Sequence, residues 1–102
     1  MGKILHFDAN RPFSNATALE RICALWAQGN YIPSPYAENR MLQRGFDDAD
    51  VAHLIMVTGG VKSHRKVEGL WRYTVRGKSV DGKGMTAVFE IQGNFLVLVT
   101  VF

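Results

Sequence analysis

Seven cations, Lys62, Arg65, Lys66, Arg72, Arg76, Lys78 and Lys83, fall in one stretch and meet only Glu68 and Asp81. Residues 62–83 therefore carry a net charge of +5, while 1–61 and 84–102 carry −1 each. Cations clustered in this way make an electrostatic footprint for a polyanion; a solvated hairpin surface is the alternative. Within and beside the block stand groups that move protons. His64 is either a proton-transfer group, by the usual range of histidine, or simply an exposed strand residue, and Glu90 is a base, an edge charge or a partner for Arg72. Lys62, Lys66, Arg72 and Arg76 are suited to holding phosphate. Thr100 can order one, although threonine is common in strands. Arg72 stands out because an arginine inside a strand must keep its charge on a wet or paired face. Metal chemistry has little to draw on. His6, His53 and His64 are dispersed, and Cys23 is the only cysteine, so neither an intrachain disulfide nor a cysteine zinc cluster is expected.

These residues act together only if the fold brings them together. The first half of the chain reads helical. Asn15 or Thr17 is placed to cap a helix whose stripe is Leu19, Ile22, Cys23, Leu25 and Trp26, ended by Gly29-Asn30. Ile32-Pro33-Ser34-Pro35 reads as an extended turn, since a residue before proline avoids the α region. Ser34 and Pro35 then form an N-cap and first turn of a short helix ending at Gly45. Asp47 caps a third helix with Asp50 in its first turn and Val51, Leu54, Ile55 and Thr58 inward, stopped by Gly59-Gly60.

Beyond residue 60 the period changes from helical to two. Four strands are predicted, near 61–68, 70–77, 84–91 and 95–102, joined by short connections that imply antiparallel neighbours. Alternation turns Trp71, Tyr73 and Val75, then Met85, Ala87, Phe89 and Ile91, then Phe95, Val97, Val99 and Val101 toward the helices. The opposite face receives Arg72, Thr74, Arg76, Thr86, Val88, Glu90, Leu96, Leu98 and Thr100. Lys62, His64, Lys66 and Glu68 share one face of the first strand, and a simple hairpin around Gly69 lets that face coincide with Arg72. A single bulge would invert part of this register. The expected fold class is α+β: N-terminal helices on one face of a four-stranded antiparallel sheet, in one domain over 1–102 with an irregular arm over 1–15.

Hydrophobic residues make up 47% and charged residues 21% of the 102, an ordinary globular composition. No apolar run is long enough to span a bilayer. The opening MGKILHFDAN lacks the apolar core and cleavage site of a secretory signal, so a cytoplasmic location is expected.

The stretch Ser34-Pro-Tyr-Ala-Glu-Asn-Arg-Met-Leu-Gln-Arg-Gly-Phe46, followed by Asp-x-x-Asp-Val51, resembles the bacterial family of domains of unknown function numbered 4258. That family opens on H-A-x-x-R-M-x-E-R-G-[IF] and continues into a helix beginning near D-V. The ending Leu96-Val-Leu-Val-Thr-Val-Phe102 is similar to its last strand. The family is regarded as a relative of the RelE/ParE toxin superfamily, and the layout also resembles the MqsR toxins. The chain's departures from these patterns include Tyr36, Arg72 and Met85. Tyr36 stands where the family has its opening histidine. Arg72 stands after Trp71 where MqsR toxins have a functional glutamine. Met85, on the predicted core face, stands where they have a functional tyrosine.

The resemblance implies a RelE/MqsR-like fold and an endoribonuclease toxin acting on RNA, free or on the ribosome, and held in check by a cognate antitoxin protein. No cofactor and no membrane are implied. Such cleavage needs a base for the 2′-OH, cations for the crowded phosphorane and an acid for the leaving oxygen. Arg72, His64 and Glu90 are the expected catalytic set; Lys62, Lys66, Arg76 and Thr100 are the expected RNA contacts. Arg40 and Arg44 belong to the resemblance motif; they could hold phosphate, brace the fold through acids or contact an antitoxin, and bracing is the expected role. Tyr36 is expected to be structural or to meet a partner. The competing expectation is a binding module of the same fold, acting on nucleic acid or protein without catalysis. The departures at Tyr36 and Met85 favour that second expectation.

Overall fold

The computed structural model describes residues 11–102; His6 and most of the expected N-terminal arm lie outside them. Helix α1 (Asn15–Ala27) is capped by Ser14, one residue before Asn15 and three before Thr17, the expected caps, because Ser14 supplies the capping oxygen to the Thr17 N–H. It buries Ala18, Ile22, Leu25 and Trp26. Helix α2 (Pro35–Arg44) starts with Ser34 as its cap and Pro35 in its first turn, and ends on Gly45 in the left-handed conformation at φ 73°. Helix α3 (Asp48–His53) opens on a reciprocal capping box between Asp47 and Asp50.

The expected third helix is not uniform to its end. After His53 the coil widens into a π-helical segment, Leu54–Thr58. Leu54 and Ile55 stay buried, as the helical stripe requires, but Thr58 does not point inward. Its hydroxyl instead bridges the backbone of Lys78, accepting from the N–H and donating to the carbonyl, both at 2.9 Å. The Cys23 thiol donates to the Ile55 carbonyl at 3.2 Å, and burial pushes its pKa up, consistent with a packing role.

Between α1 and α2 lies the main departure from expectation. Tyr31–Pro33 is a strand, β1, rather than a turn. It runs parallel to the last strand, with Tyr31 beside Leu96 and Pro33 beside Leu98. The sheet is therefore five-stranded and mixed, in the order β1-β5-β4-β3-β2, where β2 is Gly60–Val67, β3 Leu70–Lys78, β4 Gly84–Gln92 and β5 Phe95–Val101. Three residues are too few to show a period-two pattern. What makes them a strand is non-local: Leu96 N–H donates to the Asn30 carbonyl and Ser34 N–H to the Leu98 carbonyl, both at 2.9 Å.

The core lies between the helices and one sheet face. Tyr73 and Val75 from β3 and Met85, Ala87, Phe89 and Ile91 from β4 are buried there, as alternation predicts. On β5 the expectation is inverted. Leu96 and Leu98 are buried, Phe95 is 41% exposed, and Val97 and Val99 are only partly covered. A bulge explains both this and the burial of Val101. Phe89 pairs with Leu98 but Val88 pairs with Thr100, so the strand changes phase at Val99. Since nearly every residue of β5 is apolar, alternation carried no information about its phase. Each fully buried large side chain of this core contributes roughly 1.5–3 kcal/mol.

Two further contacts help tie the helical layer to the sheet. Asp50, buried, accepts from its own cap at Asp47 and from the Val80 N–H at 3.0 Å, joining α3 to the β3–β4 connection. At Gly59 and Gly77 the two backbones touch: a Cβ on Gly77 would lie 2.7 Å from Gly59 Cα and 2.8 Å from Thr58 Oγ1. No helix among the described residues is long and apolar enough to cross a membrane.

Candidate nucleic-acid interface

The turn between β2 and β3 decides which basic residues meet. Glu68 and Gly69 both have positive φ, 50° and 85°, which is the two-residue type I′ hairpin that matches strand twist. Val67 then pairs with Leu70, Lys66 with Trp71, Arg65 with Arg72 and His64 with Tyr73. Cross-strand partners share a face, so Arg65 joins Arg72 on the face away from the helices, while His64 and Lys66 join Tyr73 and Trp71 on the helix side.

This overturns the shared surface expected for Arg72 with His64 and Lys66. The His64 ring is 5.4 Å from the Trp71 ring and 5.9 Å from the Tyr73 ring, and its Nδ1 lies 3.1 Å from Asn15 Oδ1 on α1. The Lys66 ammonium sits 6.0 Å from the Trp71 ring centroid. Lys62 occupies a bulge between Val61 and Ser63 and does not line the concavity described next. Glu68 is in the turn itself. The +5 segment is thus split between the two faces of the sheet.

On the outer face lies a concavity of about 650 Å³. Arg65, Arg72 and Arg76 supply its charge, Ser63, Thr74, Thr86 and Thr100 its hydroxyls, and Val88, Val99 and Phe102 its apolar part. His64 borders it only as the strand residue between Ser63 and Arg65, its ring being on the other side. The β5 bulge brings Thr100 to this face, opposite Val88. Phe102 exchanges both backbone hydrogen bonds with Thr86 and is 49% exposed.

Arg72 and Glu90 are directly opposite each other on β3 and β4. Arg72 Nε donates to Glu90 Oε2 at 2.7 Å, and Gln92 Nε2 donates to Glu90 Oε1 at 2.9 Å. Both oxygens of Glu90 are engaged, and the residue is only 6% exposed. Among the described residues Arg65 and Arg76 have no ion-pair partner. Like charges directly opposite each other, as Arg65 and Arg72 are, disfavour strand pairing. An anion between them relieves that cost.

The motif arginines sit elsewhere. Arg40 Nε donates to the Val101 carbonyl at 3.3 Å, and its guanidinium lies 5.9 Å from the Phe102 ring centroid, so it braces α2 on the end of β5. Arg44, exposed at the end of α2, contributes its carbonyl to Lys83. Tyr36 is 62% exposed on α2. A second, more open depression of about 680 Å³ lies along α2 and α3, but its charged lining groups, Glu38, Asp47 and Asp48, are all carboxylates and repel a polyanion. Among the described residues no group of three potential ligands is placed to hold a metal ion.

Reasoning from the sequence missed Arg65, Ser63 and Phe102 as parts of this face. The signal for the first two was present: a two-residue Glu68-Gly69 loop pairs even-numbered residues of β2 with odd-numbered residues of β3. Phe102 follows from the bulge, which alternation within β5 does not reveal.

Residues 34–102, from α2 to the end of β5, match the model of a family described as a domain of unknown function (DUF4258). The chain belongs to this family. Every residue lining the outer-face concavity lies within the matched region of this DUF4258 chain, whereas α1 and β1 precede it. No curated protein matches the chain.

Proposed function

We propose that this DUF4258 domain binds RNA through the arginine face of its sheet. The observation that carries the reading is the in-register pair Arg65–Arg72, with Arg76 further along β3 and hydroxyls between, on a face whose one carboxylate is already engaged. Guanidinium groups suit phosphate because they bind it through paired donors and stay charged. The resemblance of the sequence to RelE-type and MqsR toxins, which act on RNA, is what favours RNA among polyanions in this reading.

Binding rather than cutting is the better supported half of this reading. Cleavage needs a proton acceptor beside the phosphate. Glu90 accepts from Arg72 and Gln92, and the His64 ring lies across the sheet. The second reading, an endoribonuclease toxin neutralised by an antitoxin, is favoured by the depth of the resemblance at Ala37, Arg40, Met41, Arg44 and Gly45. It requires Glu90 to be released from Arg72 when the phosphate arrives.

One experiment addresses both. Induced expression in bacteria, with growth and RNA integrity followed together, is paired with RNA binding by the purified chain across a salt series. Binding that weakens steeply with salt, with intact RNA in the cell, is the expected result. Fragmented RNA with arrested growth establishes the toxin. If no RNA binds even at low salt, the proposal is wrong.

A further inference from the structure

The strand register sorts the outer face into three parallel rows. Arg65, Arg72, Glu90 and Val97 stand in line across β2 to β5. Ser63, Thr74, Val88 and Thr100 form the next row. Gly60, Arg76, Thr86 and Phe102 form the third. Rows are two residues apart along β3 and β4, or about 7 Å, while the bulges lengthen the step to three residues between Ser63 and Gly60 on β2 and between Val97 and Thr100 on β5. That spacing is comparable to the distance between successive phosphates of an extended single strand.

The rows also change character in one direction. On β2 and β3 they are cationic, hydroxylic and cationic again. At β5 and the residue after it they are largely apolar: Val97, then Thr100 with Val99 beside it, then Phe102. Arg40 approaches the Phe102 ring at 5.9 Å and holds it, while 49% of the residue remains exposed.

We infer that a single RNA strand lies along β3, with three successive phosphates meeting the three rows and its bases turned toward β5. The assignment rests on the RNA reading above and deepens it. The first phosphate sits between Arg65 and Arg72, the second on the Ser63 and Thr74 hydroxyls, the third at Arg76. A base level with the third row stacks on Phe102. A duplex cannot bind in this way, because its bases are already stacked and its apolar faces are covered.

The test uses the full chain, fluorescein-labelled oligouridylates of increasing length, and a duplex RNA of the longest length. Affinity should climb until three phosphates are present and then rise only with the number of registers. Arg65→Ala and Arg76→Ala should each flatten the slope of log affinity against log salt by about 0.7. Phe102→Ala should weaken the single strand roughly tenfold with the slope unchanged. Phe102→Leu, which keeps an apolar contact for Arg40, should weaken it similarly and controls for local unfolding. A duplex bound as tightly as the single strand, or Phe102 variants that bind like the wild type, overturns the strand path and leaves RNA binding standing. Absence of binding to either form at low salt removes the RNA reading itself.

Discussion

Arg72 reaches Glu90 through Nε, at 2.7 Å, and not through the end of its guanidinium. The geometry has two consequences. The two η nitrogens stay available to the concavity, with their direction fixed by the carboxylate. Glu90, only 6% exposed, becomes dependent on Arg72 and Gln92 for its hydrogen bonds. Glu90 is thereby a positioning residue for Arg72 and a buried charge that Arg72 must satisfy.

Arg72→Ala is therefore expected to cost stability as well as RNA affinity, contrary to the usual neutrality of a surface sheet arginine. The loss should be about 1–3 kcal/mol, the scale of a charge-assisted hydrogen bond, since the Arg72 side chain keeps 30% of its exposure. The double variant Arg72→Leu/Glu90→Leu should recover most of that stability while leaving RNA binding impaired, because an apolar pair replaces a buried ion pair at little cost. Urea unfolding and RNA titration of the single and double variants separate the two effects. An Arg72→Ala domain as stable as the wild type would show that Glu90 does not depend on it.

Asp50 gives the fold an acid-sensitive joint. Burial alone pushes its pKa up. The N–H groups of Asp47 and Val80, the Asp47 side chain and the nearby charge of Lys83 outweigh that effect and hold it below the ordinary carboxylate value. A carboxyl depressed in the folded state stabilises fully above its unfolded pKa, about 3.9. The stabilisation is lost as pH falls from there through the folded value. Asp50→Asn should lower stability near neutral pH by about 1–3 kcal/mol. It should also flatten the stability profile in the acid limb. Thermal midpoints measured from pH 7 down to pH 3 check this; a variant whose acid limb parallels the wild type would rule it out.

What could be read from the sequence followed from how strongly each segment's pattern constrains its surroundings. The caps at Ser34 and Asp47, the stop at Gly45 and the core faces of β3 and β4 are local, and each has one physical solution. The phase of β5 was hidden because Leu96, Val97, Leu98 and Val99 are all apolar, and only the bulge against Val88 and Phe89 settles which of them face inward. β1 was hidden because its hydrogen bonds come from β5, more than sixty residues later. At the candidate site, Arg72 and Arg76 were legible from type and phase, whereas Thr100 was legible from type alone and reaches this face through the bulge. Arg65 was not, because its pairing with Arg72 depends on the two-residue length of the Glu68-Gly69 loop, which the position of Gly69 alone does not fix.

The Gly59–Gly77 contact should tolerate no side chain. A Cβ on Gly77 would meet Gly59 Cα, Thr58 Oγ1 and Gly59 N within 2.9 Å, two of them backbone atoms that cannot rotate away. Gly77→Ala is expected to destabilise the domain by about 1–3 kcal/mol through overpacking. Gly84→Ala serves as the comparison, since nothing lies within 4 Å of its Cβ position. It should be neutral or slightly stabilising. Equal unfolding midpoints for the two variants would show that the π-helical segment yields easily, and that this contact does not fix it on the sheet.

His64 provides the sharpest test of how the sheet faces are divided. By sequence it lies within the basic block, between Lys62 and Lys66, where it is an expected partner of Arg72. In space its ring is among Trp71, Tyr73 and Asn15, while its neighbour Arg65 points to the opposite face. His64→Ala should therefore leave RNA affinity within about twofold of the wild type and cost less than about 1 kcal/mol, as expected for an exposed side chain with one hydrogen bond. Arg65→Ala, one residue away, should weaken RNA binding strongly at low salt and lower its salt dependence. Fluorescence anisotropy on both variants at two salt concentrations makes the comparison. If His64→Ala loses binding and Arg65→Ala does not, the RNA lies on the helix side of the hairpin, and the arginine concavity is not its site.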